Sequence, residues 1–127
     1  MTIPKEIIRQ LMEISDSKSV INSGEFERII LTGEIAEYKV LDIRERELFQ
    51  KFRFPNSINI PFKELGKNLT KLPFDKRILL ICNSGFTAAQ SLSLLKSIGL
   101  KTYILENGIN GYLEEDSNAR NNILRIA

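Results

Sequence analysis

The sequence predicts an α/β domain with a central, mostly parallel sheet of about five strands flanked by helices. Three observations carry that expectation. Short apolar runs alternate with segments of helical spacing from end to end. One run, Arg77-Ile-Leu-Leu-Ile-Cys82, holds four consecutive apolar residues, the pattern of a strand covered on both faces in a parallel sheet. At 127 residues the chain is long enough for a single core, and as a soft prior that length means one domain.

The first segment, Met1 to Ile14, opens with Pro4 and sets Ile7, Ile8, Leu11 and Met12 on one helical face. That stripe is read as packing on the domain's own surface, with a homodimer or partner contact as the alternative. Ser15 to Ser19 is a polar break. Residues 1–19 are therefore expected to form an amino-terminal helical extension, and 20–127 the domain proper. Val20-Ile21 reads as a short strand, and Asn22-Ser-Gly24 as a helix start for Glu25 to Leu31. Tyr38-Lys-Val-Leu-Asp-Ile43 is the clearest strand of the first half. Glu45 to Lys51 reads as a short helix, Ser57 to Ile60 as a strand closed by Pro61, and Phe62 to Asn68 as another short helix.

After the buried strand and the loop Asn83-Ser-Gly-Phe86, Thr87 to Ile98 carries Ala88, Leu92 and Leu95 at helical spacing. Gly99 sits where a helix C-cap glycine belongs. Thr102 to Leu105 is a further strand and Asn107-Gly108 a turn. The tail, Asn118 to Ala127, is expected to dock as a short helix or fray.

Composition narrows the chemistry. Hydrophobic residues make up 43% and charged residues 27%, the balance of an ordinary globular chain. The 18 Lys and Arg against 16 Asp and Glu leave +2, too weak a field to argue for nucleic acid or an anionic membrane. No apolar run approaches the roughly 18 residues of a membrane span, and no signal peptide opens the chain, so the cytoplasm is the expected compartment. With no His, imidazole bases, Ser-His-Asp triads and His-dependent zinc sites are excluded. A single Cys excludes an internal disulfide and a thiolate metal cage. Lys67, Lys71, Lys76 and Arg77 read as a solvated face. Glu114-Glu-Asp116 is a poor metal site, because adjacent carboxylates on a helix point apart. No metal and no cofactor are expected.

One segment has chemical specificity: Ile78-Leu-Leu-Ile-Cys-Asn-Ser-Gly-Phe-Thr-Ala-Ala89. In an open α/β sheet, ligands bind beyond the carboxyl ends of the strands, and Cys82 lies at such an end. The next helix begins within a few residues, so its free N–H groups and positive dipole end favour a thiolate. Gly85 lets the loop turn tightly enough for successive N–H groups to converge on an anion. A lone Cys ending a buried strand is also an ordinary small hydrophobe, so these residues alone leave both readings open.

Four segments in order resemble the single-domain rhodanese-homology family. Val40-Leu-Asp-Ile-Arg-Glu45 is similar to its "(V/L)hD(V/I)R(E/D)" segment and Phe54-Pro-Asn-Ser-Ile-Asn-Ile-Pro61 to "IPGAINIP". Cys82-Asn-Ser-Gly-Phe-Thr-Ala88 resembles the active-site loop C-R-x-G-x-R-[SA], and Leu105-Glu-Asn-Gly-Ile-Asn-Gly-Tyr112 the closing "L-x-G-G-h-x-x-W". The resemblance spans about Val20 to Tyr112. It implies a rhodanese-like fold and a sulfurtransferase in which Cys82 takes a sulfane sulfur, carries it as a persulfide and passes it to a nucleophilic acceptor. It also implies that backbone amides of Asn83, Ser84, Gly85, Phe86, Thr87 and Ala88 form the cradle, and that Asp42 and Arg44 buttress it. An ordinary structural ion pair is the equal alternative for those two.

The departures define the expectations further. Asn83 and Thr87 stand where the family often has a charged residue and Arg, Phe86 makes the loop's centre apolar, and Tyr112 is near the place of the usual Trp. Arg53 replaces a frequent His. Without a side-chain cation in the loop, thiosulfate is expected to be a poorer donor than a low-molecular-weight or protein persulfide. Phosphatase chemistry, which on this fold needs a longer loop and an Arg, is not expected. Two other readings stay open: a catalytically silent module for protein binding or regulation, and a redox sensor in which Cys82 oxidises to a sulfenate without a resolving Cys.

Overall fold

The computed structural model describes residues 18–115, together with residues 3–5 and 7–9. Its elements run β1 (Val20–Ile21), α1 (Ser23–Leu31), β2 (Tyr38–Asp42), α2 (Arg46–Lys51), β3 (Ile58–Asn59), α3 (Phe62–Leu65), β4 (Arg77–Ile81), α4 (Phe86–Ser97), β5 (Lys101–Leu105) and α5 (Gly108–Glu115). Two 3₁₀ segments, Glu34–Glu37 and Gly66–Lys71, join them. The five strands form one sheet in the order β1-β5-β4-β2-β3, and every pairing is parallel. The expected mostly parallel sheet is thus wholly parallel.

Strand β4 sits at the centre, which explains its apolar run. Successive side chains of a strand point to opposite faces. Leu79 and Ile81 enter one buried cluster with Phe26, Val40, Leu105 and Tyr112, under α1 and α5. Ile78, Leu80 and Cys82 enter a second cluster with Leu41, Leu92 and Leu95, under α4.

Local chemistry fixes the helix ends. Asn22 caps α1: its side chain accepts from the Glu25 N–H at 2.8 Å while the Glu25 carboxylate accepts from the Asn22 N–H, a capping box. Helix α4 closes with Gly99 N–H donating to Lys96 C=O at 3.0 Å and Leu100 N–H to Leu95 C=O at 3.1 Å. This Schellman motif needs the left-handed Gly99, φ +93°, at the position read for it in the sequence. The helix expected over Phe62 to Asn68 is instead one turn, α3, continued as 3₁₀ from Gly66. Helix α5 was not expected, since Asn107-Gly108 reads only as a turn.

Tyr112 on α5 has the role of a core anchor. It meets Phe26 and Phe54 edge-on at 5.3 and 5.5 Å, Phe26 and Phe54 lie 4.8 Å apart, and the Tyr112 hydroxyl donates to Glu27. Of the amino-terminal stripe, Ile7 and Ile8 are 47% and 45% exposed. Leu11, Met12 and residues 116–127 lie outside the described residues. Among the described residues no helix is long and apolar enough to cross a membrane.

Tyr112→Ala is expected to cost about 3–5 kcal/mol in urea denaturation, as for a large aromatic removed from a core. Tyr112→Phe keeps the ring, loses one hydrogen bond, and is expected to cost about 1 kcal/mol. Equal losses would contradict a packing role for the ring.

Candidate active site

The site forms where β2, β4 and β5 end on the same edge of the sheet. Strand β4 delivers Cys82 into a short loop, and β5 turns at Asn107 into α5. The first N–H groups of α5 reach the loop directly. Ile109 N–H donates to the Cys82 carbonyl at 2.9 Å and Asn110 N–H to the Asn83 carbonyl at 3.0 Å. Helix-start amides lack acceptors within their own helix, so the loop's carbonyls and the helix satisfy each other.

That clamp has a geometric consequence. In a planar trans peptide the C=O and the following N–H point in opposite directions. With the carbonyls of Cys82 and Asn83 drawn to α5, the N–H groups of Asn83 and Ser84 point away from it. The Gly85 N–H donates to Cys82 Sγ at 3.0 Å. The first bond of α4 runs from Ala89 N–H to Gly85 C=O, so Phe86, Thr87 and Ala88 present N–H groups without helical acceptors. The loop segment predicted as a cradle, Asn83 to Ala88, is therefore brought together around one end of α4.

Two glycines permit the close approach. Gly85 adopts φ +91°, and a Cβ there would lie 3.1 Å from the Asn107 nitrogen. Gly108 adopts φ +65°, and a Cβ there would lie 2.5 Å from both the Cys82 and Asn83 carbonyl oxygens. No residue with a side chain fits at Gly108 without displacing the loop.

Asp42 and Arg44 form a buried ion pair. Arg44 Nε lies 3.0 and 3.1 Å from the two Asp42 oxygens, and Nη2 lies 2.8 Å from Oδ2. Arg44 Nη2 also donates to the Phe52 carbonyl, and the guanidinium stacks 4.8 Å from the Phe52 ring centroid. Asn59 Nδ2 holds the same turn by donating to the carbonyls of Asp42 and Arg44. None of these bonds touches the Cys82 loop. The link is through the sheet: Ile43 N–H donates to the Ile81 carbonyl at 2.8 Å, one residue before Cys82. Arg44 Nη1 has no protein acceptor.

Cys82 is only 4% exposed and is a free thiol. It lines an open cleft of about 550 Å³ with Arg44, Arg46, Phe62, Lys63 and Phe86 among its walls. Ala88, in contrast, is buried in the core, so only its backbone could face the loop's interior. Arg53 does not line this cleft. Its guanidinium donates to the Phe49 carbonyl and stacks on the Phe49 ring at 4.8 Å. Besides Arg44, the cations that line it are Arg46 and Lys63, which the sequence pattern places only in short helices. The available signal was their position just beyond the ends of β2 and β3, the edge where such sheets bind ligands. Among the described residues no group of three or more metal-ligating side chains converges.

The fold has direct parallels among known proteins. The Rhodanese-like domain family model matches residues 23–115. The chain belongs to the rhodanese-like domain family. The Bacillus subtilis protein YrkF, which is proposed to be a sulfur carrier, is 27% identical over 105 residues, covering 78% of this chain and 57% of YrkF. The adenylyltransferase and sulfurtransferase UBA4 of Yarrowia lipolytica is 30% identical over 91 residues, covering 70% of this chain and 22% of UBA4. The chain thus spans well under two-thirds of these curated relatives. A rhodanese-related protein from Thermoplasma volcanium is 33% identical with a TM-score of 0.68, covering 76% of this chain and 91% of that one. As a rhodanese-like domain, the chain departs from the common loop pattern by having no side-chain cation between Cys82 and Ala88.

Removing one partner of a buried pair strands the other charge. Asp42→Ala is expected to cost about 3–5 kcal/mol by chemical denaturation, and Asp42→Leu combined with Arg44→Met to recover much of that loss. Gly108→Ala is expected to cost at least about 1–3 kcal/mol from backbone strain alone, whereas Gly66→Ala, with open space around it, should be near neutral.

Proposed function

We propose that this rhodanese-like domain is a sulfurtransferase that carries sulfane sulfur as a persulfide on Cys82. The observation that carries the reading is the Gly85 N–H aimed at Cys82 Sγ, at 3.0 Å, within a loop whose carbonyls are held away by α5. A backbone donor at the sulfur lets the loop hold an anionic outer sulfur without a side-chain cation. The Cys82 thiolate attacks the outer sulfur of the donor, a new S–S bond forms, and the old S–S bond breaks with its electron pair leaving on the donor's thiolate or sulfite. An acceptor thiolate then attacks the outer sulfur of the Cys82 persulfide and regenerates the thiolate. The amides from Asn83 to Ala88 hold the negative outer sulfur between the two steps. Asp42 and Arg44 support the loop from below, through the pairing of their strand end with β4. No metal or cofactor is needed for either step.

A second reading is favoured by one observation, the near-complete burial of Cys82: a catalytically silent domain used for protein binding or regulation. A sulfenate-forming sensor is the third. One measurement separates them. The reduced protein is incubated with thiosulfate and, separately, with glutathione persulfide, and its intact mass is recorded. A gain of one sulfur atom, absent in Cys82→Ser, is the expected result. A gain of one oxygen atom on exposure to peroxide, with no sulfur loading, would favour the sensor. No adduct, with Cys82 shown to be alkylatable, would leave the silent module.

A further inference from the structure

The cleft that opens onto Cys82 has an unusual charge balance for a site that would receive a small dianion. Its lining carries three cations, Arg44, Arg46 and Lys63, and three carboxylates, Glu45, Glu47 and Glu64. Two of the cations are already engaged. Arg44 is enclosed with Asp42, a carboxylate additional to those three, and Arg46 Nη2 lies 3.1 Å from Glu64 Oε2. The cleft therefore offers a dianion no net positive charge. Its apolar walls are open instead. Phe86, at the first turn of α4, is 69% exposed and Phe62, at the start of α3, is 45% exposed, and both line this cleft. A single exposed Phe is ordinary, but adjoining apolar surface in a concave site marks a place for an apolar ligand group, and here two Phe rings line the cleft that holds Cys82.

Resting on the carrier reading above, we infer that Phe86 and Phe62 determine donor specificity, selecting organic hydropersulfides R–S–SH with an apolar, uncharged R group over thiosulfate. The R group lies against the two rings while its outer sulfur meets the Cys82 thiolate. The exchange is R–S–SH with Cys82–S⁻ giving R–S⁻ and Cys82–S–SH, so atoms and charge balance with no added oxidant or reductant. Such an R group belongs equally to a small thiol or to a protein cysteine in apolar surroundings, and the contact chemistry is the same.

The test measures the second-order rate constant for loading Cys82 by intact mass. The donors are thiosulfate, glutathione persulfide and benzyl hydropersulfide, and each rate is divided by that for free cysteine to remove intrinsic reactivity. A short peptide persulfide with Leu on both sides of its Cys forms a fourth arm, which distinguishes a protein source from a small one. The expected result is a normalised preference of about tenfold or more for the benzyl over the thiosulfate donor, with glutathione persulfide between. Phe86→Arg, exposed and so without consequence for folding, should raise thiosulfate loading and lower benzyl loading. Phe62→Ser should lower benzyl loading alone. A Leu-flanked peptide that loads faster than the benzyl donor would assign the site to protein donors, and a slower one to small thiols, both within the inferred class. A preference of one or less, or a ratio unchanged by Phe86→Arg, overturns the inference while leaving Cys82 as carrier. No loading by any donor, with Cys82 alkylated normally, rejects the carrier reading and the inference with it.

Discussion

The hydrogen bonds from the start of α5 to the carbonyls of Cys82 and Asn83 are the contact on which the site depends. A loop that presents several N–H groups to one point has its carbonyls on the other side, and buried carbonyls need donors. Helix starts are the one element with donors to spare. By seating α5 against the loop, the fold satisfies two deficits with one contact and at the same time sets which way each peptide faces. Gly108 is where the two backbones come closest, and its lack of a Cβ makes the contact possible.

Beneath the loop, the sheet supplies stiffness. Strand β4 is paired to β2 over all of Arg77 to Ile81 and to β5 from Arg77 to Leu80. Cys82 therefore follows directly from a strand held between two neighbours. The Asp42–Arg44 pair secures the neighbouring strand end. A buried pair of this kind is weak evidence for stability, since its Coulombic gain is offset by desolvation. Its bidentate geometry does fix the chain's path after β2, and that path carries Arg46 to the rim of the Cys82 cleft. The pair makes no direct bond to the loop; what joins its strand end to β4 is the hydrogen bond from Ile43 to Ile81.

Much of this was legible in the residues. The run from Arg77 to Cys82 reports a strand buried on both faces because period-two alternation vanishes when both faces are covered. Cys82, Gly85 and the onset of α4 follow from strand-end logic, and Gly99 from C-cap chemistry. Helix α5 was not legible. Gly108, Asn110 and Gly111 are poor helix formers, and Asn107-Gly108 has the signature of a turn. The helix exists because loop carbonyls hold its first turn and Tyr112 anchors it in the core, both tertiary effects. Arg46, Phe62 and Lys63 were missed for a related reason. They come from short elements far apart in sequence, and only the all-parallel strand order brings their ends to one edge.

The electrostatics of the loop also set what kind of anion it can hold. The positive end of a helix is worth about half an elementary charge, and its effect falls off within the first turn. Together with a few backbone N–H donors, that complements a group bearing one negative charge. A dianion brings a second charge, and the side chains lining the cleft, Arg44, Arg46 and Lys63 against Glu45, Glu47 and Glu64, add no net positive charge to meet it. An Arg in the loop would compensate it, and here the corresponding positions are Asn83 and Thr87. The same loop therefore complements a singly charged anion while giving little help to a doubly charged one. Backbone and side chains act separately here: the amides face a single charge at the loop, and the side chains at the mouth of the cleft set the charge and apolarity that an incoming molecule meets.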